Sequence, residues 1–141
     1  MRDIRNIVTL FLLATFALAA CGGGGQQAGT SKTIEYTLQA TMKDGKMVYV
    51  GLGGDIHGQL NPTLKANVGD TVKVTISSGD GTEHNISFLD FGIDSEHVLG
   101  QGSSVTVSFL VDKGGTFDYY CTIPGHREAG MAGKFEVTGE N

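Results

Sequence analysis

The run Cys121-Thr122-Ile123-Pro124-Gly125-His126-Arg127-Glu128-Ala129-Gly130-Met131 sets a thiol, an imidazole and a thioether at even steps along one loop. Soft sulfur donors beside an imidazole suit copper, and a trigonal set of two histidines and one cysteine with a weak axial methionine suits single-electron exchange. The loop supplies only one of the two imidazoles. His84, in the stretch Gly81 to Phe88 at the head of an apolar alternating run, is the natural second, so two segments far apart in sequence have to meet.

Other chemistries compete for the same residues. Cys121 and His126 are also potential structural zinc ligands, but such sites favour more thiolates and imidazoles and seldom use a thioether. Cysteine-histidine nucleophilic catalysis needs a base oriented by a third group, and a five-residue step along a loop followed by an aligned methionine matches that poorly. Met131 by itself is a plausible core residue; its place one ligand step beyond His126 favours the axial role. His57 and His97 read as ordinary loop histidines, His57 with some prospect of lying near the metal end.

The elements that position these residues occupy only part of the chain of 141 residues. Arg2 and Arg5 precede an apolar and small run from Ile7 to Ala20, too short to span a bilayer and placed like the core of a secretory signal. Leu18-Ala19-Ala20-Cys21 resembles a bacterial lipobox, at which the signal is cleaved and the new terminal cysteine is lipidated; cleavage of a plain signal after Ala20 is the alternative. Residues 1–20 are thus expected to be a lipoprotein signal peptide, and residues 21–32 a lipidated Cys21 with a glycine-rich linker. Its flexible part reaches roughly 17 Å as a random coil. Acyl chains anchor a protein at about 0.8 kcal/mol per buried methylene, so several on Cys21 hold it to a membrane. The two cysteines then have separate tasks: Cys21 takes lipid, and Cys121 is a lone thiol in an oxidising compartment, a hazard unless a metal occupies it.

From residue 33 to 139 the period is two. Ile34, Tyr36, Leu38 and Ala40 alternate with polar neighbours, as do Val72, Val74 and Ile76, and then Val105, Val107, Phe109 and Val111. Met47 to Leu52, Phe117 to Cys121, and Phe135 with Val137 complete the strands, and turns fall at Asp44-Gly45, Val68-Gly69-Asp70 and Gly114-Gly115. Phe91 to Gly102 fits neither period and is expected to be a loop, with room for a short helix. Short strands between glycine and aspartate turns predict an all-β, antiparallel sandwich forming one domain.

The segments His84-Asn85-Ile86 and Tyr120-Cys121-Thr122-Ile123-Pro124-Gly125-His126 resemble the ligand segments of cupredoxins, the blue copper proteins of the plastocyanin and azurin family. The resemblance covers Asp55 to Val137 and is weak before it; in ligand-loop spacing it is closest to auracyanin. Asp55 to Leu64 and Pro124 to Met131 also resemble segments of multicopper oxidases and copper nitrite reductase. The resemblance implies a Greek-key sandwich holding one type 1 copper, with His84, Cys121 and His126 as strong ligands, Met131 as the axial one, and Asn85 tied to Thr122 behind them. Glu83 stands where azurin has a glycine whose carbonyl approaches the metal, so four ligands are expected rather than five.

Two function classes follow. An electron carrier needs one closed copper site; an oxidase or nitrite reductase needs further copper with an open position and its own imidazoles. Beyond the two assigned histidines only His57 and His97 remain, with no His-x-His pair, which disfavours catalysis. A copper-delivery role would call for a methionine-rich site, and Met42 and Met47 argue it weakly. Loss of the signal takes two arginines and one aspartate, moving the net charge from −5 to about −6. That balance repels nucleic acid and steers in a basic redox partner, such as a cytochrome, an oxidase, a reductase or a photosynthetic complex. The expected location is outside the cytoplasm, lipid-anchored and facing the periplasm or cell exterior.

Overall fold

A computed structural model describes residues 30–139. The expected signal peptide, the expected lipidation site Cys21 and all but the end of the expected linker lie outside the described residues.

Among the described residues nine strands form two facing sheets. The first has the order β2-β1-β4-β7, with β1 Thr33–Lys43, β2 Lys46–Gly51, β4 Thr71–Ser78 and β7 Ser104–Leu110. The second has the order β3-β9-β8-β5-β6, with β3 Leu64–Asn67, β5 Ser87–Phe88, β6 Ile93–Asp94, β8 Gly115–Tyr120 and β9 Ala132–Thr138. The alternation seen in the sequence sets the inner face of the first sheet. Leu38 lies opposite Ile76, and Ile76 opposite Val105, so apolar side chains stack across the strands. Leu38, Val72, Val74 and Ile76 are completely buried. Asp44 and Gly45 both have positive φ (51° and 75°), the two-residue turn whose twist matches a tight hairpin, and it joins β1 to β2.

Aromatic rings fill the space between the sheets. Phe88 stacks on Tyr119 at 5.6 Å and meets Phe109 at 5.0 Å and Phe135 at 5.5 Å between ring centroids. Tyrosine hydroxyls in this core are all matched: Tyr119 donates to the Pro62 carbonyl at 2.7 Å, and Tyr49 to the carbonyl of Asn85. Tyr36, on β1, both donates to the Lys65 carbonyl and accepts its N–H, crossing from one sheet to the other. Gly133 lies opposite Tyr119 in the β8–β9 ladder, and a Cβ there would fall 2.3 Å from the tyrosine ring.

The sandwich agrees with the sequence reading, with two additions. Its pairing is mixed, because β1 runs parallel to β4 and β3 parallel to β9. The segment expected as a loop between Phe91 and Gly102 contains β6, which pairs with β5, and Val98, which bridges to His84. Strands as short as β3 and β6 leave no periodic signal.

Phe88→Ala should cost about 3–5 kcal/mol of stability, the range for emptying a buried aromatic site. Leu110→Ala, at a residue 62% exposed, should stay within about 0.5 kcal/mol of the parent. Urea unfolding of the three proteins checks the ranking, and equal losses would place the core elsewhere.

Candidate metal centre

At one end of the sandwich the loop between β5 and its upstream neighbour β4 meets the loop between β8 and β9. The second loop is a tight coil knitted by its own backbone. The N–H of His126 donates to Ile123 at 3.1 Å, that of Ala129 to Gly125 at 2.9 Å, and that of Met131 to His126 at 2.9 Å. Cys121 N–H then reaches the Met131 carbonyl at 3.2 Å, closing the coil on itself. Gly130, with φ of 110°, makes the turn before Met131. Two outside contacts fix the coil: Met47 N–H donates to Ala129 at 3.2 Å, and the Asn61 side chain donates to Gly130 at 2.8 Å while accepting the N–H of Tyr49.

His84 is held from the other side. Its N–H and carbonyl form a two-way bridge with Val98 at 3.0 and 2.8 Å. The next residue, Asn85, makes the junction between segments. Its amide oxygen accepts the N–H of Thr122 at 2.8 Å, and its amide nitrogen donates to the Thr122 hydroxyl at 2.7 Å and to Asp94 at 2.8 Å. Asp94 also accepts the Ser87 hydroxyl. A completely buried asparagine thus spends its side chain joining the two segments that carry the candidate ligands.

The result is a cluster of donors. One ligating atom from each of His84, Cys121 and His126 lies within 4.8 Å of the others, the one such cluster among the described residues. The two imidazole rings are 5.1 Å apart, and Cys121 Sγ lies 3.5 Å from His126 Nδ1. His84, Cys121 and Met131 are buried, and His126 keeps a partly exposed edge. Among the described residues the buried side-chain polar atoms without a hydrogen-bond partner are His84 Nδ1 and Asp80 Oδ2. A buried nitrogen lone pair with nothing to accept is costly unless a ligand completes it. Two imidazoles, a thiol and a neighbouring buried thioether are the donor set for copper, and the residues fit that metal.

Protonation follows the surroundings. Burial, and then the neighbouring His84, hold His126 below the ordinary histidine value, outweighing Asp80 and Glu83, so its ring is neutral and able to ligate. Burial pushes the Cys121 thiol up, partly offset by the backbone N–H groups of Asn85 and Ile123, so metal capture must displace a proton. Burial raises the Asp80 carboxyl, but hydrogen bonds from the Thr82 N–H and His84 outweigh it and the net shift is downward.

A profile of copper binding proteins of the plastocyanin/azurin family matches residues 36–138. The chain belongs to this family. Its cofactor is copper, one type 1 centre per chain. This cupredoxin is 30% identical over 102 residues to L-ascorbate oxidase of Cucumis sativus, a match covering 64% of the chain and 17% of that enzyme. Rusticyanin from Thiobacillus ferrooxidans superposes with a TM-score of 0.54 at 25% identity, over 77% of this chain and 79% of that one. Copper nitrite reductase from Nitrosomonas europaea gives 0.59 at 23% identity, over 74% and 41%. The cupredoxin thus spans a minor part of the two enzymes and most of rusticyanin.

His57 and His97 stand outside the cluster. His57 accepts the N–H of Gly53 at 3.2 Å, and His97 pairs with Glu83 at 2.8 Å on the surface. The sequence reading missed Asp80, Thr82, Asp94 and Asn61, all of which support the site. Asp80, in Ser78-Gly79-Asp80-Gly81, carries the signature of a turn, and nothing in that pattern announces its contact with His84.

Asn85→Ala should leave the Thr122 N–H and the Asp94 carboxylate short of partners. Thr122 and Asp94 are exposed, so water takes the place of the lost partner and each bond is worth about 0.5–1.5 kcal/mol. The urea midpoint of the metal-free protein should fall accordingly, and a midpoint equal to the parent's would show that the two segments are held together by other contacts.

Proposed function

We propose that this cupredoxin is a membrane-tethered carrier of single electrons outside the cytoplasm, with His84, Cys121 and His126 as strong copper ligands and Met131 as the axial one. The observation that carries the reading is that the three ligand atoms converge to within 4.8 Å of one another, with His84 Nδ1 buried and unpartnered. Copper bound there supplies one-electron exchange between Cu(II) and Cu(I). The chain's part is to keep its donors still. The knitted coil from Cys121 to Met131 and the Asn85–Thr122 junction hold them at fixed separations, so neither oxidation state requires the protein to rearrange.

Contact with partners falls to His126, whose edge is partly exposed among Ile123, Pro124 and Gly125. Small, weakly held interfaces are usual for redox encounters. The acidic balance favours a basic redox protein as partner. Tethering rests on lipid at Cys21, the reading that the lipobox-like run Leu18-Ala19-Ala20-Cys21 supports. The shared fold with nitrite reductase and oxidases keeps catalysis as the second reading, but His57 and His97 are engaged elsewhere on the surface.

Protein loaded with Cu(II) should be intensely blue or green, and Cys121→Ser should remove the colour while leaving the fold. A colourless adduct would sink the copper-thiolate assignment. Met131→Leu should keep one copper per chain and raise the potential, since it removes a weak donor to Cu(II), and Met131→Gln should lower it. Steady turnover of nitrite or dioxygen by the parent, with a second copper in metal analysis, would favour the enzymatic reading.

Tethering has its own test. Cys21→Ser should move the protein from the membrane pellet to the soluble fraction without detergent. A variant that stays in the pellet like its parent is anchored by some other means.

A further inference from the structure

Asp80 lies on the loop that leads from β4 to His84. Its Oδ1 accepts from three donors: His84 Nε2 at 3.0 Å, the Thr82 N–H at 2.9 Å and the Thr82 hydroxyl at 2.9 Å. Thr82 Oγ1 is itself 2.9 Å from His84 Nε2. A carboxylate only accepts, so the proton of the neutral imidazole sits on Nε2 and the lone pair on Nδ1, the buried nitrogen without a partner. The loop is not free to swing away. Ser78 Oγ accepts the Gly81 N–H and donates to the Thr82 carbonyl, both at 3.1 Å, and the Gly79 N–H is anchored on Ala40 at 2.8 Å.

The second oxygen of Asp80 adds an independent observation. Oδ2 is buried without a partner, and among the described residues Asp80 pairs with no lysine or arginine, only with the neutral imidazole of His84. Asp80 is partly buried, its side chain 18% exposed, and a carboxylate drawn that far from water without a cation carries a desolvation cost. A metal held by His84 would supply positive charge beside it. One thiolate and two neutral imidazoles leave a net charge of about +1 with Cu(II) and about zero with Cu(I). Adding one carboxylate makes these about zero and −1, and in a low-dielectric site the second is the less favourable.

We propose that Asp80 is a positioning residue of the metal centre, and that its charge, beyond its hydrogen bond, biases bound copper towards Cu(II). This rests on the copper reading above. The electron that reduces the centre comes from the redox partner, and the carboxylate sets how readily it is taken up. Asp80 would thus act on the potential through His84, by its contact with Nε2, leaving Nδ1 for the metal.

Two variants separate charge from geometry. Asp80→Asn keeps an oxygen acceptor for His84 and loses the charge; Asp80→Ala loses both. In the metal-free proteins, long-range proton–nitrogen correlation spectra should show the Nε2–H tautomer of His84 in the parent and in Asp80→Asn, and a mixture in Asp80→Ala. Competition with chelators should show Cu(II) bound roughly 10-fold more weakly by Asp80→Asn, the low end for losing an outer partner of a ligand. Cu(I) affinity should be unchanged, and for one electron that ratio raises the potential by about 59 mV. The thiolate colour should persist. A coloured parent whose potential is the same in Asp80→Asn overturns this inference alone, as does an equal loss of affinity for both oxidation states. A parent without the coloured adduct overturns the copper reading and this inference with it.

Discussion

The side chain of Asn85 is the constraint on which the metal end depends. A buried amide is expensive unless its donors and acceptor are all used. Here the acceptor takes the Thr122 N–H and the donors reach Thr122 and Asp94, so the polar group is satisfied only when the two loops sit side by side. The cost of leaving it unsatisfied becomes the force that keeps His84 facing Cys121 and His126. Tyr49 extends the same logic to the first sheet, because its buried hydroxyl is matched by the carbonyl of Asn85 itself. One residue therefore couples both sheets to the ligand loop.

The two histidines of the centre sit in different surroundings, and the difference is physical rather than nominal. His84 is fully buried, with its backbone paired to Val98 and its outer nitrogen paired to Asp80. His126 is partly exposed on a coil whose neighbours are small and apolar. The first is built to be fixed and the second to be reached. Water is excluded on one side, where electrostatic influence is strong, and admitted near the other, where it is screened.

Much of this was legible in the sequence. The period-two runs of β1, β4 and β7 identify half-buried strands because one face of each meets the core. The ligand loop is legible because its sulfur and nitrogen donors are close in sequence, and Asn85 with Thr122 followed from resemblance. What escaped was whatever the three-dimensional path creates. β3 and β6 are too short to display a period, and the parallel pairings join residues with no local relation. Asp80 and Asn61 look like turn residues, and they are; their side chains gain a second task only because the loops they turn are laid against the ligand segments.

The parallel ladder of β3 with β9 has a consequence for how the molecule is made. Leu64 pairs with Phe135, and Lys65 with Glu136, so an early strand waits for one of the last to be synthesised. Such distant pairings carry a loop-closure cost that slows assembly. Met131 stands directly before β9, and Cys121 takes its backbone partner from Met131. The metal end therefore closes late, after nearly the whole chain has been threaded into place. An exposed thiol is most vulnerable to oxidation in that interval, and speed of closure becomes a protection for Cys121 in its own right.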